Sequence, residues 1–389
     1  MHEELRMADL LSATEYQRRM ETYANEGRKR AQRLGNRGPI RFDEKGNLHS
    51  DIVRAYWEHG FYVFSHALSR AEVDELRSDV MSVLEHAPVG PGQNVDAYGD
   101  PAVGIELKRY PYHFVKPLSD PVGGTESSEG RHMSKMTEAS PDDDAPEYVI
   151  QIIAGMCQLF ESGLRVYGHP HLLAVAEAIN GPDFVPYNDA IFVKQPGLGG
   201  SVAWHQDGVT HWNSSDWDEG IHGVNFQAQL NRTSPMSCLW VVPGTHKLGR
   251  VDIKALVEAN GGSDQIPDGI PLYCEPGDVT IVNRQTLHCS FANTSDDFRI
   301  SVSWGMHRRA AVLGQHGHLV QPKEVFYDDE FIDKRASVIQ VAIDARRQYY
   351  PDETPFEYQP FKQLQDRYRW CPETFESVIR DYNTRDIGI

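Results

Sequence analysis

The chain has 389 residues, 40% of them hydrophobic and 24% charged, with a formal net charge of -18. That length can bury a large core, as one domain with extensions or as two, and the acidic balance argues against nucleic acid or anionic membrane surfaces as partners, whose phosphates it would repel. No run of 18 apolar residues occurs and the first residues, Met1-His-Glu-Glu-Leu-Arg6, have no apolar signal-peptide core, so a soluble cytoplasmic protein without membrane partners is expected. Five cysteines, Cys157, Cys238, Cys274, Cys289 and Cys371, are odd in number and widely spaced, which suits buried free thiols in a reducing compartment. The oligomeric state stays open, a homodimer being one compatible form.

Residues 1–54 read as a polar, partly solvated N-terminal helical arm with a basic cluster, Arg28-Lys29-Arg30, Arg33 and Arg37. Gly60-Phe-Tyr-Val-Phe64 has the look of a short buried strand. Ser69-Arg-Ala-Glu72 then forms a capping box ahead of Val73, Leu76, Val80, Val83 and Leu84 at helical spacing. From 87 to 147 the composition turns to Pro, Gly, Asp and Ser without periodicity, the mark of a lid or binding loop or of flexible filler. Within it Lys108, Arg109, Tyr110, Tyr112, His113, Arg131, His132 and Lys135 would line a pocket for an acidic substrate or lie in solvent. Two helices are expected next, one marked by Ile152, Met156, Leu159 and Phe160, the other by Leu172, Leu173, Val175, Ala176 and Ile179 and closed by Asn180-Gly181.

After them the period shifts from 3.6 to 2. Strands are expected at 190–194, 224–230, 238–242, 279–283 and 298–304, separated by turns such as Pro243-Gly244 and Pro276-Gly-Asp278. Short strands so spaced suggest an antiparallel barrel or sandwich, a cupin-like jelly roll being one solution. Helix returns at roughly 329–347 and again from Pro372, with Phe375, Val378, Ile379 and Tyr382 in register. The expected fold is therefore mainly β, a double-stranded β-helix (jelly roll) core buttressed by N- and C-terminal helices: the arm at 1–54, the jelly roll at 55–310 with its insert at 87–147, and a C-terminal helical extension at 311–389.

The chemistry centres on Trp204-His-Gln-Asp207. An imidazole and a carboxylate two residues apart on an extended strand share one face, where a single metal ion reaches both. Two histidines and one carboxylate bind iron(II) on one face of an octahedron and leave the other positions open. Among 17 histidines one such pair is expected by chance, and His49-Ser-Asp51 is a second copy, in a segment that reads as a turn. His205 instead follows a strand and a Gly/Pro turn and is flanked by Trp204 and Trp212. The distant partner is best supplied by His288, after the turn and strand at 275–283; His211, His222, His246 and His307 are rivals. Downstream, Phe298-Arg-Ile-Ser-Val-Ser-Trp304 alternates so that Arg299, Ser301 and Ser303 share one face. Pointing into a barrel, Arg299 needs an anion, and the distal carboxylate of 2-oxoglutarate matches its planar fork. A solvated strand face is the alternative.

Together His205-Gln-Asp207, Pro243-Gly-Thr-His-Lys247 and His288 followed by Arg299 resemble the phytanoyl-CoA dioxygenase family of iron(II)/2-oxoglutarate oxygenases, as does the opening Gly60-Phe-Tyr-Val-Phe64 with Leu68-Ser-Arg-Ala-Glu-Val-Asp-Glu-Leu76. The resemblance spans about 55–310. It implies that His205, Asp207 and His288 hold iron, that Arg299 grips the 2-oxoglutarate C5 carboxylate with help from Ser290, that Asn188 contacts the cosubstrate and that Trp212 walls the site. It further implies turnover of O2 and 2-oxoglutarate to succinate with oxidation of a small-molecule substrate, hydroxylation being favoured over halogenation because Asp207 is present. Two other classes stay open: a non-catalytic metal-binding barrel, and a cupin-type hydrolase or isomerase using another divalent metal.

Overall fold

In the computed structural model residues 10–126, 131–207, 223–318 and 324–382 are described. Twelve strands build two facing sheets: β1 (Arg37–Gly38), β2 (Phe61–Phe64), β3 (Tyr112–Val115), β4 (Val149–Ala154), β5 (Val185–Lys194), β6 (Val202–His205), β7 (Gly223–Gln229), β8 (Leu239–Val241), β9 (Ile270–Leu272), β10 (Val279–Asn283), β11 (His288–Ser290) and β12 (Arg299–His307). The larger sheet runs in the order β1-β2-β10-β7-β12-β5-β4-β3 and the smaller β9-β8-β11-β6. Apart from the parallel β1–β2 pair, neighbours in both sheets are antiparallel. Such non-sequential pairing of two antiparallel sheets is the jelly-roll arrangement.

The alternation along β12 sets the sidedness of the larger sheet. Ile300, Val302, Trp304 and Met306 join a core with Leu172, Leu173, Ala176, Val338 and Val341, contributed by helices α5 (Pro170–Asn180) and α7 (Asp329–Tyr349). Arg299 and Ser303, on the other face, line the cavity between the sheets. Ahead of these helices in the chain come α1 (Ala13–Ala31), α2 (Ser50–His59), α3 (Arg70–Glu85) and α4 (Glu161–Tyr167); α6 spans Ile253–Ala259.

The arm is helical and partly solvated, and its buried side is a structural wall. Tyr16, Met20, Tyr23 and Ala24 of α1 pack with Trp204, Trp240, Cys289 and Phe291 on the outer face of the smaller sheet, and Tyr23 stacks on Trp240 at 4.4 Å between ring centroids. The exposed backs of α1 residues carry its polarity; the buried stripe carries its position. The helix expected around Ile152 is also corrected. Val149–Ala154 is strand β4, Gly155 follows in the left-handed region (φ 89°), and only Met156–Leu159 is helical. A run buried on both faces has no period to read. Within the 87–147 segment, β3 pairs with β4 at the sheet edge.

Ser69 caps α3 with Glu72 in a reciprocal box, as its sequence requires. Glu72 also accepts from Arg346 of α7 at 2.7 Å, with both side chains buried. Burial pushes the Glu72 carboxyl up, but Arg346, Ser69 and His169 outweigh it and hold the group below its ordinary value. A depressed folded-state value means this stabilisation is present above the unfolded glutamate value of about 4.3 and is lost as pH falls through the lower folded one. Urea midpoints of the wild type should therefore exceed those of Glu72→Gln at neutral pH and converge with them below about pH 4. A gap that persists unchanged into acid would refute the ion-pair account.

Candidate metal centre

Strand β6 ends at His205 and β11 begins at His288, and the two residues are direct cross-strand partners. Their rings lie 4.0 Å apart between centroids. The chain then leaves β6 through a backbone bond from Asp207 N–H to the Arg284 carbonyl at 2.8 Å, which carries the carboxylate back over both imidazoles. Nε2 of His205 is 3.5 Å from Asp207 Oδ1, and Nε2 of His288 is 3.7 Å from Oδ2. All three donor atoms fall within 4.8 Å of one another. With bonds of about 2.0–2.2 Å, one divalent ion spans cis ligands about 3 Å apart and trans ligands about 4 Å apart, so the set fits a single ion after small shifts.

The supporting bonds select the right tautomers. His205 Nδ1 lies 2.7 Å from the Ala203 carbonyl and His288 Nδ1 2.8 Å from the Thr286 carbonyl. A carbonyl only accepts, so each Nδ1 carries the hydrogen and each Nε2 presents its lone pair to the metal position. Burial, reinforced by His288, His132 and Arg131, holds His205 well below the ordinary imidazole value and keeps it neutral. Burial pushes Asp207 the other way, yet His288, Arg131, Arg284 and Asn225 outweigh it and keep the carboxylate ionised. Arg131 Nη1 donates to Oδ1 at 3.2 Å and Asn225 Nδ2 to Oδ2 at 2.5 Å. The donor set, two histidines and one carboxylate, is that of mononuclear iron(II) sites.

Below the triad the two sheets flank a cavity of about 100 Å³, lined by the triad together with Asn225, Gln227, Ser290 and Arg299. Arg299 is 1% exposed. Its Nη2 donates to Gln227 Oε1 at 2.8 Å, while Nε has no partner; burial lowers its value to about 10. Ser301 Oγ on the same face is also without a partner. Opposite Arg299 across the β12–β5 pairing, Lys194 is buried and donates to the Phe291 carbonyl at 2.5 Å. A buried guanidinium with an unused N–H is a receptor for an anion.

The profile of the phytanoyl-CoA dioxygenase (PhyH) family matches residues 56–301, more than half of the chain. The chain belongs to this family. It is 29% identical over 116 residues to "Phytanoyl-CoA dioxygenase 1" of Oryza sativa subsp. japonica, a match covering 28% of this chain and 40% of that protein. The Arabidopsis thaliana relative is likewise matched over 40% of its length, so the similarity to the plant proteins spans less than half of them. To "Dioxygenase lolE1" of Epichloe uncinata the identity is 27% over 210 residues, 53% of this chain and 70% of that one. Among solved structures, EctD from S. alaskensis aligns at 17% identity and TM-score 0.47 over 70% of this chain and 81% of its own. The epimerase SnoN from nogalamycin biosynthesis aligns at 18% and 0.43 over 65% and 78%. Scores that low carry no inference about activity.

On this PhyH-family scaffold the structure gathers His205, Asp207, His288, Arg299 and Ser290 at one cavity. Asn188 falls on β5, but its side chain lies outside the described residues, as do Trp212, His211 and His222. The remaining rivals are accounted for: His246 Nε2 meets the Trp57 carbonyl at 3.0 Å, His307 packs against Arg284, and His49 caps α2 by accepting from the Asp51 N–H. From the long insert, Arg131 and His132 reach the centre, the His132 ring 4.5 Å from that of His205, whereas Lys108 and Lys135 are exposed and paired with Asp381 and Glu138. Sequence reasoning passed over Asn225, Gln227, Tyr187 and Arg284. Alternation along 224–230 turns Asn225 and Gln227 inward and was the available signal. Nothing local marks Tyr187, whose ring crosses β12 where a Cβ on Gly305 would overlap it.

Proposed function

We propose that the protein is an iron(II)/2-oxoglutarate-dependent oxygenase that oxidises a C–H bond of a small molecule, hydroxylation being the simplest outcome. The observation that carries this reading is the convergence, in one cavity, of a buried His-Asp-His set and a buried arginine with an unused N–H. His205, Asp207 and His288 would hold the iron, and Arg299, with Ser290 and Ser301 beside it, would take the far carboxylate of 2-oxoglutarate. The bound metal and cosubstrate supply the oxidant: substrate R–H, O2 and 2-oxoglutarate become R–OH, succinate and CO2.

The chain's own share is placement. Backbone carbonyls at Ala203 and Thr286 fix the imidazole tautomers, and Arg131 and Asn225 fix the carboxylate. Under this reading Arg299→Ala loses a charge-assisted bond pair of about 1.5–3 kcal/mol, and the apparent KM for 2-oxoglutarate should rise about 10- to 100-fold. The measurement is succinate formation against cosubstrate concentration in the presence of iron(II) and O2. A KM unmoved by Arg299→Ala would show that another group anchors 2-oxoglutarate, and no succinate from the wild type would point to divalent-metal chemistry that does not use it.

A further inference from the structure

Arg284 is fully buried yet only partly satisfied. Its Nη1 lies 3.2 Å from His307 Nε2 and its guanidinium sits 4.3 Å from the centre of the Tyr187 ring, but Nε and Nη2 have no hydrogen-bond partner. These two nitrogens form one edge of the guanidinium fork, the edge that takes two oxygens through parallel bonds. Arg131 adds a second buried guanidinium, whose Nη1 is committed to Asp207 and whose Nε is unpartnered. Both arginines bear electrostatically on Asp207, which among the described residues pairs directly with Arg131. An open fork costs stability in a protein interior unless something else fills it.

The position of the fork separates it from the cosubstrate arginine. Arg284 meets the His307 end of β12, whereas Arg299 opens the other end of the same strand. Arg284 is tied to the His-Asp-His set through Asp207: the Asp207 N–H donates to the Arg284 carbonyl oxygen, and the Tyr187 hydroxyl, its ring under the Arg284 guanidinium, donates to Asn225, which in turn donates to Asp207. A molecule held by the Arg284 edge would therefore sit beside Asp207, away from the Arg299 end of the strand.

We propose that the substrate carries an oxyanion group, a carboxylate or a phosphate, that docks on the Nε/Nη2 edge of Arg284 next to Arg131. The assignment rests on the oxygenase reading above and adds to it the chemical class of the molecule oxidised. It gives the long 87–147 segment a role in substrate choice, since that segment supplies Arg131.

Calorimetric titration of the full-length protein, loaded anaerobically with iron(II) and saturating 2-oxoglutarate so that the Arg299 end is filled, tests it. The probes are benzoate, its neutral counterpart benzamide, and inorganic phosphate. Benzoate or phosphate should bind at least about tenfold more tightly than benzamide, the strength of a charge-assisted pair, with the stronger of the two naming the group. Arg284→Gln should reduce that ligand to the affinity of benzamide while 2-oxoglutarate still binds. Equal affinities for the three probes, or no binding by any, overturns the proposal and needs no variant that could misfold. Loss of 2-oxoglutarate binding in Arg284→Gln, with binding kept in Arg299→Ala, would assign the fork to the cosubstrate and also overturn it. Failure of the wild type to bind 2-oxoglutarate at all would instead remove the oxygenase reading.

Discussion

Replacing His205 or His288 by alanine is expected to lower the affinity for iron(II) by more than about a hundredfold and to abolish 2-oxoglutarate-dependent succinate formation. Loss of a residue that merely orients a metal ligand costs about 10- to 100-fold, so loss of the ligand itself belongs at or beyond the top of that range. The two substitutions should be equivalent, because the structure treats the residues alike: each is buried, each is tied through Nδ1 to the carbonyl two residues earlier, and each directs Nε2 at an oxygen of Asp207. His246→Ala provides the contrast, since that imidazole bonds the Trp57 carbonyl and stands outside the triad. Anaerobic iron(II) titration with succinate assays on the same samples decides the matter. An alanine at 288 that leaves iron affinity within a few-fold of wild type would dissolve the centre as drawn.

How much of this was readable beforehand depended on whether local pattern and long-range partner coincided. Strand β12 was legible because its apolar residues face helices and its polar residues face the cavity, a period of 2 with a physical cause on each side. His205 and His288 were legible because strand ends deliver them, and the cross-strand pairing that the sequence could only imply is now explicit. Strand β4 was misread because Val149-Ile-Gln-Ile-Ile-Ala154 is mostly buried whichever way its side chains point, so spacing to Met156 and Leu159 imitated a helix. The α1 stripe, Tyr16, Met20, Tyr23 and Ala24, did have helical spacing; its many charges masked the buried side. Arg131 stood among the insert's candidate pocket residues, but nothing local set it apart from Lys108 or Lys135, which are exposed. Its partner is 76 residues away, and only the fold brings the insert back over the site.

That contact supports the second large expected effect. Arg131 and Asp207 are both buried, at 7% and 2% exposure, and pair at 3.2 Å. Removing one member of a buried pair typically costs about 3–5 kcal/mol, mostly because the other charge stays buried without its counterion. In metal-free protein Arg131→Met should therefore lower unfolding free energy by up to about that amount, Asn225 and the more remote Arg284 being partial substitutes. With iron(II) bound, Asp207 regains a cation, and the same substitution should cost distinctly less. The two results are linked by a closed cycle: if the variant loses less stability in the loaded state, it must bind iron(II) more tightly than the wild type by the same free energy. An opposing effect exists, since Arg131 also orients the carboxylate, and loss of such orientation weakens metal binding about 10- to 100-fold. Asn225 continues to hold Oδ2 and the Asp207 backbone stays bonded to Arg284, so the unpaired charge should outweigh the lost orientation. Denaturant unfolding with and without iron(II), alongside direct metal titration of wild type and Arg131→Met, gives both sides of the cycle. Weaker iron binding in the variant would show that Arg131 serves as a rigid clamp on Asp207 rather than as the counterion the metal replaces.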